Sequence, residues 1–103
     1  MRTLVIPPAA QRDDTAVQML SAWIAEKGLH CSLNVGMLKS QGLSEVGSWG
    51  ILLADVIRHL ASAIEEKDGT NAEDSAERIV EALTKELDEP TSKRQGGFHP
   101  GHT

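Results

Sequence analysis

In the stretch LHCSLNVGML, residues 29–38, apolar and polar side chains alternate as far as Met37. Leu29, Cys31, Leu33, Val35 and Met37 fall on one side, and His30, Ser32, Asn34 and Gly36 on the other. Alternation with a period of two is the signature of a half-buried strand. A strand covered on both faces reads instead as a continuous apolar run. The fold must therefore contain a sheet with one face on a core and the other open to solvent or to a second chain.

At 103 residues the chain has the size of one domain. Surface scaling allows roughly two thirds of the unfolded chain's area to be buried, enough for one core without excess. Trp23, Trp49 and Phe98 are the only aromatics and tyrosine is absent, so that core must be made of Leu, Ile, Val, Ala and Met. A binding surface of stacked aromatic rings is not expected.

Around the alternating strand, the spacing predicts four further elements. RTLVI, residues 2–6, is a β-prone run ended by Pro7 and Pro8, which lack the amide that a ladder needs. Val17, Leu20, Trp23 and Ile24 recur at helical spacing behind Asp13 or Asp14 as caps, predicting a helix over 13–27 closed by Lys27 and Gly28. After a Gly- and Ser-rich loop over 39–48, with Ser44 or Ser48 as a cap, a second helix is predicted over 48–67. Its apolar stripe is Trp49, Leu53, Val56, Leu60 and Ile64. A third helix begins at TNAED, where Thr70 and Glu73 have capping-box spacing, and is expected to bury Ala76, Ile79, Val80, Leu83 and Leu87 before Pro90.

The expected fold is thus a small single α+β domain over residues 1–89, in the order β-α-β-α-α, with a short sheet packed on one face by helices. The two strands are joined through a helix, so they run parallel if adjacent; otherwise a further strand lies between them. Two strands rarely make a stable sheet alone, which predicts that a homodimer partner completes or covers it. Residues 90–103 lack periodicity and are expected to form a disordered tail. No heptad run is long enough to predict a coiled coil.

The net charge is −5, unevenly spread: residues 65–89 carry ten acids against Lys67, Arg78 and Lys85. Nucleic acid is excluded as a partner because no basic cluster exceeds Lys93-Arg94. Membrane insertion is not expected either, since no run approaches the roughly twenty apolar residues of a span. The N-terminal residues lack the apolar core of a signal peptide, and the single Cys31 fits a reducing, cytoplasmic setting.

Two groups are candidate ligand or interface residues. Asp55 and His59, four residues apart at the polar margin of the second helix, have the spacing with which a carboxylate orients an imidazole base. No anion loop, nucleophile elbow or metal signature accompanies them, so they read as an ordinary boundary pair before a working one. His30, Ser32 and Asn34 line up three hydrogen-bonding side chains on the open strand face, suited to a ligand or a second subunit. Cys31 lies on the opposite face from His30 and reads as a small buried hydrophobe rather than a nucleophile. His99 and His102 are too few for a metal centre, so no metal or cofactor is predicted.

LVIPPAAQRDDTAVQMLSAWIAEKGLHCSLNVGM followed by WGILLADVIRHLASAI resembles a family of small bacterial proteins, domain of unknown function 5076, over most of residues 2–66. The resemblance implies a compact bacterial α+β domain and carries no activity or catalytic residue. The function read from the sequence is a non-enzymatic homodimeric interaction or regulatory domain. The alternative is a small-molecule-binding protein or minor enzyme using Asp55 and His59.

Overall fold

The computed structural model describes residues 1–90. The described chain is α+β and falls into two compact units, Met1–Val35 and a second that begins at Gly36. In chain order the elements are α1 (Pro8–Arg12), β1 (Leu20–Ala25), β2 (Gly28–Leu33), α2 (Met37–Ser40), α3 (Glu45–Asp68) and α4 (Ala72–Asp88). The α+β class matches the sequence expectation, whereas the order of elements does not. The predicted tail lies outside the described residues.

The first unit departs most from expectation. Residues 2–6 form no strand and have no ladder partner among the described residues. Pro8 opens α1 instead, with its fixed φ already helical and its missing amide at a position that has no helical acceptor. Ala10 and Gln11 donate their amides to the Pro7 carbonyl, and the Gln11 side chain donates to the Ile6 carbonyl at 2.7 Å. Asp13 caps no long helix. Its carboxylate accepts from the hydroxyl and the amide of Thr15, which closes a turn and holds the carboxyl below its ordinary pKa.

Residues 20–25, expected in a helix, are β1. They satisfy the helical spacing, but they also alternate, with Leu20, Ala22 and Ile24 on one side and Ser21 and Trp23 on the other. Pairing with β2 decides between the two patterns, because a long-range ladder outweighs weak local preference. The strands are antiparallel neighbours, not parallel ones, in register Leu20 with Leu33, Ala22 with Cys31, and Ile24 with Leu29 on the apolar side. Ser21 with Ser32 and Trp23 with His30 meet on the polar side. The Asn34 amide donates to the Met19 carbonyl at 2.9 Å and prolongs the ladder by one bond.

The connection is Glu26-Lys27, with φ of +49° and +65°. A two-residue hairpin turn of this hand requires positive φ at both central positions, normally supplied by Asn-Gly. Here two long side chains carry it, which is why no turn signal stood out at this point of the chain.

In the second unit, α2 follows Gly36, whose φ of +109° is open to glycine and strained for other residues. The alternation expected as far as residue 38 therefore stops at Leu33, with Met37 and Leu38 already helical. The Ser44 hydroxyl accepts from the Gly47 amide at 3.1 Å and starts α3 at Glu45, three residues earlier than expected. Gly69, in the left-handed conformation, ends it by donating to the Glu65 carbonyl. The cap of α4 is Asn71, not Thr70: its side chain accepts from the Asp74 amide at 3.0 Å, and the Glu65 carboxylate accepts from the Ala72 amide. Thr70 instead donates its amide to Asp68, whose carboxyl it helps hold below the ordinary value.

The short connection folds α4 back on α3. Ala61 of α3 is 2% exposed and is the one buried apolar residue among those described; Ser75 of α4 is also buried. Small side chains at these positions let the helices approach closely. The larger residues expected in the core are not enclosed. Trp49, Ile64, Ala76 and Ile79 are half-buried, while Leu53, Val56, Leu60, Val80, Leu83 and Leu87 are exposed.

Glu45 ties α2 to α3. Its carboxylate accepts from the Lys39 amide at 3.0 Å and from the Trp49 indole at 2.8 Å. These donors, the Lys39 amide first, hold the carboxyl below the ordinary glutamate value. The contribution is therefore present above the unfolded-state pKa and disappears as acid passes down through the depressed folded value. Thermal unfolding followed from neutral pH into the acid range should show a shallower acid limb for Glu45→Gln than for the native chain. At the hairpin, replacing Lys27 by Gly should raise stability by about 1 kcal/mol, since glycine adopts positive φ without the penalty of a side chain. Urea unfolding monitored by circular dichroism measures this directly.

Candidate functional site

The two groups of candidate residues lie in different units and are taken separately. His30 and Ser32 project from β2 on the polar side of the hairpin, and Asn34 follows directly after it. Pairing with β1 adds two residues to this side that were hidden by the helical expectation. Ser21 stands across from Ser32, and Trp23 across from His30, with the Trp23 indole donating to the Ser21 hydroxyl at 2.7 Å. The alternation of residues 20–25 was the signal that would have placed them here.

Gln18, Leu20, Ser21, Trp23, Ser32 and Asn34 line a concavity of about 320 Å³. Its polar atoms are hydroxyls and side-chain amides grouped around one half-buried indole, and Asn34 is only 8% exposed. Such groups donate and accept hydrogen bonds without carrying charge. They are suited to orienting a small polar ligand or a strand of a partner, and they include no base positioned to activate either serine. His30 borders this face without lining the concavity. Cys31 lies on the apolar side opposite Ala22 with a free thiol, half-buried where the sequence predicts a buried hydrophobe.

Asp55 and His59 lie on α3 at the predicted four-residue spacing, but their geometry is loose. His59 Nδ1 is 4.0 Å from Asp55 Oδ2, beyond hydrogen-bond reach, and Arg58 approaches the other oxygen at 3.9 Å. All three side chains are mostly exposed. A carboxylate that is shared with a guanidinium and makes no hydrogen bond to the ring does not hold its tautomer or orientation. A second concavity of about 560 Å³ lies along α4, lined by Val80, Glu81, Thr84, Lys85, Asp88 and Glu89, and does not include the Asp55 and His59 pair. No group of three His, Cys, Asp or Glu side chains able to hold a metal occurs among the described residues. No described helix is long and apolar enough to cross a membrane.

Fold and side chains together define a small α+β protein made of a half-polar β-hairpin unit and a helical-hairpin unit. The chain belongs to the family described as Domain of unknown function (DUF5076), whose model matches residues 3–91. This agrees with the resemblance seen in residues 2–66 and extends it through α4. A solved structure described as "a putative pyruvate dehydrogenase from the photosynthetic bacterium Rhodopseudomonas palustrus CGA009" is similar with a TM-score of 0.67 at 25% identity, covering 94% of each chain. No curated protein shows significant similarity to the chain.

Replacing His59 by Ala should leave the unfolding free energy within about 0.5 kcal/mol of the native value, because an exposed ion pair contributes little. A loss of several kcal/mol in chemical denaturation would show that the imidazole has a structural partner of a kind the α3 surface does not display.

Proposed function

We propose that the protein is a non-enzymatic homodimeric interaction domain, with residues 1–89 acting as one domain. One observation carries the reading: the larger apolar side chains of α3 are left open on the described chain. Leu53, Val56 and Leu60 are 42%, 37% and 47% exposed, and with Val46 and Trp49 they recur at intervals of three and four residues along one stripe. Contiguous apolar surface of this kind is uncommon on a monomer and marks a contact surface. A second copy of the chain supplies the matching stripe without any other partner being required, and two-fold pairing of one patch with itself is the commonest way to close such a surface.

The catalytic alternative draws less support. Asp55 and His59 are apart and exposed, and they line neither concavity. A working base needs to be within hydrogen-bond reach of its orienting group and of a held substrate. The description of the Rhodopseudomonas protein as a pyruvate dehydrogenase does not alter this. That likeness is one of fold at 25% identity, and among the described residues of this chain no nucleophile, base and pocket come together.

Light scattering coupled to size exclusion, over a wide range of concentration, tests the proposal. The full chain should run as a dimer. Leu53→Asp combined with Leu60→Asp should weaken association by roughly two orders of magnitude while leaving the helical circular dichroism intact. A native chain that stays monomeric at every concentration would defeat the proposal.

A further inference from the structure

The first unit contains both halves of an unfinished sheet. Its two strands form a two-stranded antiparallel sheet, and each has one edge with no strand beside it among the described residues. Such a sheet is marginal on its own in water, and open edges invite a further strand. The same unit also holds a run with strong β preference that has no ladder partner among the described residues: Thr3, Leu4, Val5 and Ile6. Leu4 is 95% exposed and Val5 88%, values close to those of an unfolded chain, and Ile6 is 62% exposed.

We infer that residues 2–6 of one copy add as a third strand to the β1 edge of a second copy, reciprocally across a two-fold axis. The inference rests on the homodimer reading and names the segment that exchanges. The β1 edge is favoured over the β2 edge by exposure. On β1, Ala22, Ile24 and Ala25 are exposed, Ile24 at 88%, beside the half-buried Leu20, Ser21 and Trp23, whereas on β2 Leu29 alone is exposed and the other residues are half-buried. The side-chain pattern fits as well. With a period of two, Leu4 and Ile6 continue the apolar side formed by Leu20, Ala22 and Ile24, and Thr3 and Val5 fall on the side of Ser21 and Trp23.

The chain's own geometry explains why the pairing occurs between copies. Pro7 and Pro8 restrict the backbone immediately after the run, α1 begins at once, and the Gln11 side chain holds the Ile6 carbonyl at 2.7 Å. The direction of the segment is thus set by α1 and not by the hairpin of its own copy. A second copy is free to approach in whatever orientation the ladder needs. Exchange of an identical element is a low-cost route to a dimer, and backbone ladder bonds supply the affinity.

Amide hydrogen exchange on the full chain, above and below its association midpoint, tests the inference. Alternate amides of residues 3–6, those turned toward β1, should exchange at least about tenfold more slowly in the associated sample than in the dilute one. Leu4→Pro and Val5→Pro, made separately, complement it. Alternate amides of a strand point to opposite edges, so one of the two variants removes a ladder bond and should weaken association at least about tenfold. Both side chains are exposed, so the helical content should be unchanged. A dimer whose residues 3–6 exchange like a free peptide, or two proline variants that associate normally, would overturn the exchanged strand while leaving the dimer standing. Protection that persists in the dilute monomer would show pairing within one copy and also overturn it. A native chain that never associates would remove both the strand exchange and the homodimer.

Discussion

The chain carries more large apolar side chains than the packing of its described residues encloses. Ala61, at the seam of α3 and α4, is the one apolar residue brought below a tenth of its free exposure, while Leu53, Val56, Leu60, Val80, Leu83 and Leu87 remain open around it. This follows from the architecture. Each unit is only two layers at most, a hairpin with one short helix or two helices folded on one another, and each buries one stripe per element. With three aromatics in 103 residues there are also few large rings to fill what remains. Burial of apolar surface is the main favourable term in folding, so the exposed stripes represent stabilisation that association can still supply.

The site chemistry is consistent with that arrangement. On the hairpin, the neutral groups of Gln18, Ser21, Ser32 and Asn34 surround the Trp23 indole, a surface that recognises by hydrogen bonding and shape. On α3, Asp55, Arg58 and His59 form a loose, solvated charge cluster. Neither combines a nucleophile with a base at contact distance. Membership of the family described as Domain of unknown function (DUF5076) and the likeness to the Rhodopseudomonas structure place the fold among related chains without adding a reactive group.

Where sequence and structure part, the cause lies in competing patterns. Leu20, Trp23 and Ile24 fit a helix, but Leu20, Ala22 and Ile24 fit a strand equally, and only the presence of β2 within reach breaks the tie. The turn that joins them is built from Glu26 and Lys27, residues that ordinarily avoid positive φ, so the usual hairpin cue is missing. Arg2 to Ile6 has the composition of a strand but no neighbouring strand among the described residues, and strand propensity expresses itself only against such an edge. For the two long helices local chemistry was sufficient. Ser44 and Gly69 bound α3, and the cap of α4 shifts by a single residue to Asn71.

The sequence by itself determined the α+β class, the two long helices with their breaks at Gly69 and Pro90, the alternating faces of β2, and the placing of His30 and Ser32 opposite Cys31. All of these follow from interactions between residues close in the chain: helical periodicity, capping and the two-residue pleat. Tertiary structure alone decided that residues 20–25 pair with β2, that Ser21 and Trp23 join Ser32 and Asn34 around one concavity, and that Asp55 and His59 fail to touch. Those outcomes depend on contacts between distant residues or on side-chain torsions, where differences of a few tenths of a kcal/mol decide the result and local spacing carries no record of it.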